Sequence, residues 1–176
     1  MSTQVTGVLE FDNKSTSVAF NLGTPTTAGD TQIGNFSDLP TNLQPNAETA
    51  KCNPVFNAGL FEDVNDEQIT IGYTITNTND SSKSVSGIFK MYFSGGNSYP
   101  DFLNFEVDFN DENNTQQEGF TVSIPLSATD EATLPAVDFG SLDILLNDNG
   151  LSAALNGGGS VFSDVLNSII VAIITG

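Results

Sequence analysis

Two acidic residues at alternating positions, Glu106 and Asp108, are the closest approach in this chain to a general acid–base pair. Their spacing within an alternating apolar segment places both carboxylates on the same face of a strand. Such a pair catalyses hydrolysis when it lies in a cleft and one carboxyl group has a raised pKa. Because this face of the strand is polar, we expect both residues to be surface charges, and nothing else in the sequence supports a glycosidase.

The residue types that carry most catalytic chemistry are scarce. The chain has no histidine and a single cysteine, Cys52. Without histidine a Ser-His-Asp triad is impossible, and one thiol supports neither an internal disulfide nor a thiolate metal cluster. The nucleophile-elbow and phosphate-loop motifs are also absent. The sequence therefore predicts that the protein is not an enzyme.

An oxygen-rich turn is the candidate for cation binding. Calcium takes roughly six to eight oxygen ligands, which loops between strands can supply. Asp108, Asn110 and Glu112 offer such oxygens, although the segment lacks the glycine that an EF-hand loop requires. Acidic turns also form for backbone reasons and are then simply solvated. Calcium is thus the one cofactor that the sequence suggests, and otherwise we expect none.

Aromatic residues beside a glycine-rich loop are the candidates for ligand binding. Tyr92, Tyr99 and Phe102 flank the loop over 94–98, which begins with Ser94. Aromatic side chains at one end of a sheet can contact a ligand, a sugar or the membrane interface. The alternative is that they cap the core. We name Ser94, Tyr99, Tyr92 and Phe102 as the candidate ligand- or lipid-binding residues.

The charge of the chain limits its partners. It has 22 acidic residues against 4 lysines, for a net charge of −18. This excludes nucleic acid, because too few cations are present to neutralise phosphates. It also disfavours electrostatic docking on anionic lipid. The charge is typical of a highly soluble surface, a high-salt habitat or a protein that binds divalent cations.

The elements that must position these residues are predicted by apolar residues at alternating positions. The alternating segments are 5–11, 18–22, 69–75, 85–93, 103–109 and 120–124. The clearest hairpin joins 69–75 to 85–93, with a bulge expected near Gly87. Residues 12–15 are expected to form a turn that makes 18–22 the return strand of 5–11. One apolar and one polar face per strand predict antiparallel sheets packed as a β-sandwich.

The period changes near the C-terminus. Apolar doublets recur every four residues, which is typical of a helix with one apolar stripe. The doublets are Val161-Phe162, Val165-Leu166, Ile169-Ile170 and Ile173-Ile174. We predict a helix here with Ser160 as N-cap, although its β-branched residues would also suit a final strand. An earlier helical segment is expected around Leu142, Leu145 and Leu146.

These patterns predict a mainly β fold, an antiparallel β-sandwich with a short C-terminal helical segment. We assign 1–137 to the β-sandwich and 138–176 to a helical tail packed on the same domain. The apolar stripe must be buried in the chain's own core, in another copy or in a membrane. The candidate assembly residues are the second apolar residue of each doublet: Phe162, Leu166, Ile170 and Ile174.

The start of the chain and its apolar runs bear on localisation. The N-terminus lacks a positive region followed by an apolar run, so we expect no signal peptide. The longest apolar run, over 169–174, is far short of the ~20 residues that span a bilayer. We therefore expect a cytoplasmic protein, a protein secreted without a leader, or a mature form.

Three segments together resemble a known family. The stretch 72–75, the strand 89–94 with its loop to Tyr99-Pro100, and 104–107 resemble the central block of the actinoporin and aegerolysin-type cytolysins. The resemblance implies a single β-sandwich that recognises a lipid headgroup and forms pores as an oligomer. It matches Ser94 and Tyr99 to the family's headgroup-contacting loop. The chain departs from actinoporins in lacking tryptophan and in placing its apolar helix at the C-terminus.

Two functions follow as hypotheses. The first is a non-enzymatic β-sandwich that binds lipid headgroups or membranes, a cytolysin-like pore-forming component. The alternative is a structural subunit that assembles with copies of itself into a capsid, filament, surface layer or inclusion body. Both predict a homo-oligomer whose partners are a membrane surface or its own copies.

Overall fold

The computed structural model describes residues 2–29, 31–34, 39, 41–59, 67–95, 100–126 and 136–175. These residues form fourteen β-strands and one α-helix. The strands are β1 (Ser2–Asn13), β2 (Val18–Leu22), β3 (Thr26–Ala28), β4 (Gln32–Ile33), β5 (Asn42–Leu43), β6 (Glu48–Cys52), β7 (Val55–Gly59), β8 (Gln68–Asn77), β9 (Ser84–Ser94), β10 (Phe102–Asn110), β11 (Gln116–Pro125), β12 (Ala136–Asn147), β13 (Gly150–Leu155) and β14 (Val161–Phe162), and the helix is α1 (Asp164–Thr175).

The strands form two sheets packed face to face, which confirms the predicted β-sandwich. The first sheet has the order β14-β13-β12-β1-β7-β4, with β6 also paired to β1. The second has the order β11-β10-β9-β8-β2-β5, with β3 also paired to β8. Neighbouring strands are antiparallel except for β1 and β12, which pair in parallel. The two longest elements of the first sheet thus join the start of the chain to its last third.

The predicted hairpin of the second sheet is confirmed, but its expected bulge is wrong. The β8–β9 pairing continues through Gly87 without a register shift, and Gly87 simply takes an inward position. A Cβ atom at Gly87 would meet the Tyr73 ring, whose hydroxyl donates to the Asp108 carbonyl at 2.8 Å. The register shift of this sheet lies instead between β10 and β11, at Val107 and Asp108.

The first predicted hairpin is wrong. Residues 12 and 13 still belong to β1, and β2 pairs with β5 and β8 in the other sheet. The side chain of Asn13 accounts for the crossing, because its amide donates to the carbonyls of Val18 and Leu43, both at 2.9 Å. The chain therefore passes between sheets here instead of turning back within one.

The expected helical segment around Leu142 is also wrong. Leu142, Ile144 and Leu146 alternate inward in β12 and are buried, which is the period of a strand. Leu145 lies on the opposite face, so the pair of adjacent leucines mimics a helical stripe in the sequence. The boundary that we placed after residue 137 falls inside β12, and the strands that follow it complete the first sheet.

The C-terminal helix is confirmed, and it covers one end of its own sandwich. Leu166, Ile170 and Ile173 are buried in the common core, which at about 1.5–3 kcal/mol per side chain gives roughly 5–9 kcal/mol before entropy. The N-cap is Ser163, not Ser160, because the Ser163 hydroxyl accepts from the Leu166 amide at 3.2 Å. Residues 161 and 162 form β14 instead of the first helical turn.

The helix is also tied to both sheets by polar contacts. The Asn77 amide donates to the Ile173 carbonyl at 2.9 Å, near the helix C-terminus. The Leu151 backbone amide donates to the Asn167 side chain at 2.9 Å, so α1 satisfies a group on the edge of β13. Among the described residues, none of the helices has the length and apolarity needed to cross a membrane.

The core between the sheets is aromatic and nearly filled. Phe11, Phe20, Tyr73 and Phe89 form one cluster, with ring centroids 4.8–6.2 Å apart. The cavity beside it measures about 20 Å³, room for about one water molecule. This cavity is too small for a ligand, and the candidate sites among the described residues lie on the outer faces, ends and edges of the sandwich.

Candidate functional site

A lysine and two carboxylates meet on the outer face of the second sheet. Lys90 of β9 lies directly opposite Glu106 of β10 in the strand register. Asp108 follows two residues later on the same face, so the ammonium group can reach both carboxylates. Tyr92 and Gln116 close the group from β9 and β11. We call these five residues the Lys90 cluster.

The geometry of the Lys90 cluster is tight. Lys90 Nζ lies 3.0 Å from Glu106 Oε2 and 3.0 Å from Asp108 Oδ2. The Tyr92 hydroxyl donates to Glu106 Oε1 at 2.8 Å, and the Gln116 amide donates to Asp108 Oδ2 at 3.1 Å. Asp108 is only 2% exposed, and its Oδ1 atom is buried without a hydrogen-bond partner.

This burial overturns the expectation that Glu106 and Asp108 are surface charges. Alternation placed them correctly on an outer face, but the long side chains of Lys90, Tyr92 and Gln116 extend over that face from the neighbouring strands. Strand β10 is therefore buried on both sides over most of its length. Its centre carries two carboxylates paired with the Lys90 ammonium group, not two solvated charges.

The two carboxyl groups are electrostatically different. Burial and the hydrogen bond shared with Glu106 raise the pKa of Asp108 to about 6, and Lys90 acts in the opposite direction. Burial would also raise the pKa of Glu106, but hydrogen bonds from Asp108, Tyr92 and Lys90 hold that pKa below its ordinary value. As the pH falls, Asp108 is thus protonated before Glu106, and Glu106 stays the hydrogen-bond acceptor.

The ammonium group also differs from a surface lysine. Burial would lower the pKa of Lys90, but its hydrogen bonds to Glu106 and Asp108 outweigh burial and raise the pKa. The Nζ atom lies 5.9 Å from the centre of the Tyr92 ring, within the range of a cation–π contact. Lys90 is therefore held as a cation whose position is fixed from three sides.

The predicted ligand-binding residues do not converge on one site. Tyr92 is part of the Lys90 cluster, and Ser94 accepts a hydrogen bond from the Asn104 amide at 2.7 Å. Phe102 is partly exposed at the start of β10. Tyr99 lies outside the described residues. The polar groups of Tyr92 and Ser94 are thus engaged by neighbouring strands and not directed to a ligand.

A second group of carboxylates lies on the outer face of the first sheet. The side chains of Glu10 and Asp12 project from β1, and Asp143 projects from β12, which pairs with β1 in parallel. One oxygen atom from each of the three lies within 4.8 Å of the others. The Thr49 hydroxyl donates to Asp12 Oδ1 at 2.6 Å, and Lys51 Nζ contacts Glu10 Oε1 at 3.1 Å. We call these five residues the Glu10 cluster.

The Glu10 cluster has excess negative charge at its centre. Burial, a shared hydrogen bond with Asp12 and the charges of Asp12 and Glu10 raise the pKa of Asp143 to about 7, with Lys14 acting against them. Asp143 Oδ1 is buried without a hydrogen-bond partner. These three carboxylates, not the predicted set, are the acidic residues that the described structure brings into the spacing of a cation site.

The predicted calcium ligands are separated by their environments. Asp108 contacts Lys90 through Oδ2, Asn110 ends β10, and Glu112 is exposed in the turn that follows. The Lys90 ammonium, 3.0 Å from Asp108 Oδ2, would repel a second cation at this carboxylate. Calcium binding at this set therefore stays a prediction, and the geometry gives it no added support.

The predicted assembly residues divide into buried and exposed groups. Leu166 and Ile170 belong to the chain's own core, and Ile174 packs partly against it. Phe162 is 53% exposed, and Val165, the first residue of the next doublet, is 63% exposed. Only the start of the apolar stripe thus remains available to a partner.

Phe162 lies in β14, the end strand of the first sheet as described, and Val165 follows three residues later in the first turn of α1. Strands β11 and β14 end the two sheet orders and lie against each other, and no described strand pairs with the far side of β11. A groove of about 630 Å³ runs between β13–β14 and α1, lined in part by Leu151, Phe162 and Val171. We call the β11 edge, Phe162, Val165 and this groove the lateral surface.

No known family model, curated protein or solved structure matches this chain at a significant level. The resemblance to cytolysins therefore stays a prediction from the residues.

Sequence reasoning missed the cation of one cluster and the whole of the other. The contact of Lys90 with Glu106 could have been predicted, because the predicted hairpin register places Lys90 on the polar face of β9, next to the strand that carries Glu106. Asp143 had none, because the pairing of β1 with β12 joins distant parts of the chain. Its segment also appeared helical from the sequence.

Proposed function

We propose that this protein is a non-enzymatic structural subunit that associates with copies of itself through the lateral surface. The observation that carries the proposal is the coincidence of Phe162 and Val165, at 53% and 63% exposure, with the edges of β11 and β14, whose far sides pair with no strand in the described part of the chain. Edge strands present unpaired backbone groups that template pairing with another chain. Exposed apolar side chains beside such an edge supply the burial that makes pairing favourable.

The β11 edge is suited to this role. It is ten residues long, and Glu118 is its only charged residue. Natural edges that avoid pairing are short, carry several charges, or are interrupted by bulges and proline. This edge is long and nearly uncharged, and its interruptions are the register shift opposite Val107 and Asp108 and Pro125 at its end. The groove beside Phe162 adds a concave surface, so that Phe162 of one copy and the groove of another form a complementary pair in a two-fold arrangement.

Lipid binding has less support. The polar groups of Tyr92 and Ser94 are bonded within the second sheet, and the helix that resembled a membrane anchor buries Leu166 and Ile170 in the core. Among the described residues, Phe162 and Val165 are the most exposed large apolar side chains, ahead of Phe102 at 40% and Ile33 at 37%, and both lie in or just after the edge strand β14. A free edge favours a protein strand as the partner over a lipid surface.

The net charge of −18 sets the conditions for assembly. Like-charged copies repel each other, and salt screens this repulsion over about 8–10 Å at physiological ionic strength. We expect association to strengthen as salt is raised.

The test is the sedimentation velocity of the full chain across protein concentration and salt. We expect a monomer at low salt and dimers or larger species at high salt. The double variant Phe162→Ser/Val165→Ser should shift this transition to higher protein concentration by about tenfold, the effect of roughly 1.4 kcal/mol of lost apolar burial. Ile33→Ser, an exposed isoleucine in β4 at the opposite end of the first sheet from β14, is the matched control and should leave the transition unchanged.

Two outcomes would overturn the proposal. One is a monomer under all conditions. The other is co-sedimentation of the monomer with zwitterionic vesicles that is lost in the Phe162→Ser/Val165→Ser variant, which would establish lipid binding as the role of the same side chains.

A further inference from the structure

We propose that the Lys90 cluster is an autocatalytic cross-linking site, in which Lys90 and Asp108 condense to an isopeptide bond with Glu106 as the proton-transfer group. The proposal concerns a modification within one chain and does not depend on self-association. Its basis is the convergence of a nucleophile, an electrophile and a base on two hydrogen-bonded strands.

The three groups are held in contact. Lys90 Nζ lies 3.0 Å from one oxygen of Asp108 and 3.0 Å from one oxygen of Glu106. The register of β9 and β10 is continuous here, since Lys90 pairs with Glu106 and Ile88 pairs with Asp108. The reacting atoms are therefore positioned by backbone pairing and not by flexible loops. Intramolecular reactions reach effective molarities of about 10⁵–10⁸ M when the attacking and attacked atoms are also aligned, which here requires Nζ to move from Oδ2 to above Cγ.

The surroundings assign a different role to each carboxyl group. Asp108 is 2% exposed and its Oδ1 atom lacks a hydrogen-bond partner. Burial and the neighbouring Glu106 raise its pKa to about 6, so the ionised form is disfavoured. Glu106 receives the Tyr92 hydroxyl at Oε1, which leaves Oε2 facing Lys90. Neighbouring carboxyl groups with pKa values shifted in opposite directions act as acid and base. Asp108 is thus the electrophile and Glu106 the base.

The reaction is balanced with the loss of one water molecule. A proton passes from the Lys90 ammonium to Asp108 Oδ2, which leaves a neutral amine and a carboxylic acid. The amine lone pair forms the N–Cγ bond, and the carbonyl electron pair moves to Oδ1. Glu106 takes a second proton from the nitrogen and delivers it to Oδ2. The Cγ–Oδ2 bond then breaks, water departs with that electron pair, and the carbonyl to Oδ1 reforms.

The environment favours the product. Gln116 donates to Oδ2, the oxygen that leaves, and so withdraws electron density from Cγ. Condensation replaces the Lys90–Asp108 ion pair by a neutral amide, and burying charges is more costly than burying an amide. Glu106 loses its cation in the product but keeps the Tyr92 hydroxyl as a donor. The Oδ1 atom changes from an unpartnered carboxylate oxygen to an amide carbonyl. Because Lys90 is held mainly as the ammonium, we expect a slow reaction, and one turnover per chain is sufficient.

The chain offers a simple readout, because it has no arginine and only four lysines. Trypsin acting on the denatured, unlinked chain cuts after Lys83 and Lys90 and releases the peptide 84–90. In the linked chain the Lys90 side chain is an amide, and trypsin does not cut after it. The expected product is the peptide 84–176, lighter than its sequence mass by one water molecule.

The experiment is tryptic mass mapping of the purified full chain, fresh and after overnight incubation. We expect the 84–176 product in the wild type and release of 84–90 in Asp108→Ala. Glu106→Gln should slow the appearance of the linked product by at least tenfold. Lys51→Arg is the matched control. The Lys51–Glu10 contact is similar in length, at 3.1 Å, but Lys51 is solvent-exposed, so we expect no amide at this pair. The variant should still give the linked 84–176 product, and its mass should differ from that of the wild type only by the substitution.

The wild-type digest alone decides the proposal, even if a variant fails to fold. Complete release of unmodified 84–90 from the incubated wild type would overturn it. So would fragmentation of the linked product that places the amide at Glu106 instead of Asp108.

Discussion

The Lys90 cluster and the Glu10 cluster occupy equivalent places on the two sheets, but they are completed differently. Each has its acidic side chains on the outer face of a sheet interior, partly covered by side chains of neighbouring strands. In the Lys90 cluster the cation is 22% exposed and contacts both carboxylates. In the Glu10 cluster the contacting cation, Lys51, is 63% exposed and reaches only Glu10, so Asp12 and Asp143 face each other without it.

This difference shows what decides whether buried acidic residues stabilise a sheet. A carboxylate removed from water must be compensated by a partner removed with it. Lys90 provides that compensation from within the hydrogen-bonded register. In the Glu10 cluster a proton takes the place of the missing cation, which is the physical meaning of the raised pKa of Asp143. The negative charge of the Lys90 cluster is thus compensated by a lysine side chain, and that of the Glu10 cluster by a proton taken up from solvent.

The largest expected effect comes from removing the central cation. Lys90→Met should lower the free energy of unfolding by about 3–5 kcal/mol, because it leaves two buried carboxylates uncompensated. Lys51→Met, the matched change at the edge of the other cluster, should cost under about 1 kcal/mol, as for an exposed pair. Urea denaturation of both variants measures the two values. Equal losses would contradict the distinction between the clusters.

A gain in stability is expected from the other cluster. The folded-state pKa of Asp143 lies above its unfolded value, so the native state binds more protons between these two values and stability falls as pH rises toward about 7. Asp143→Asn removes this loss and should stabilise the protein by about 1–2 kcal/mol at about pH 8, after allowance for solvent screening. Its advantage over the wild type should shrink as the pH is lowered to about 5.

Thermal melting across pH measures this effect. Glu112→Gln, which removes an exposed carboxylate elsewhere, is the control and should follow the wild-type curve. An Asp143→Asn variant that melts below the wild type at high pH would show that the ionised carboxylate is stabilising, contrary to the geometry of the Glu10 cluster.

The contrast between the clusters also marks how far sequence reasoning reached. Strand alternation correctly predicted the sandwich, the β8–β9 hairpin and the shared face of Glu106 and Asp108. It failed on burial, because a polar face appears solvated until the neighbours that cover it are known. It failed on Asp143 because a parallel pair between β1 and β12 has no local signal, and on Leu142 because two adjacent leucines obscured the strand period.

The smallest expected effects come from the hydroxyl groups that support each cluster. Tyr92→Phe removes the donor to Glu106 Oε1, and Thr49→Val removes the donor to Asp12 Oδ1. Each should cost roughly 1 kcal/mol. Glu106 retains Lys90 as a charged donor, whereas Asp12 is left facing two other carboxylates. Above the pKa of Asp143, we therefore expect Thr49→Val to lower the free energy of unfolding more than Tyr92→Phe does. Below that pKa, protonated Asp143 can donate to Asp12, and the two variants should lose similar amounts. Urea titrations at two pH values would measure this, and a pH-independent cost for Thr49→Val would argue that Asp143 and Asp12 do not share a proton.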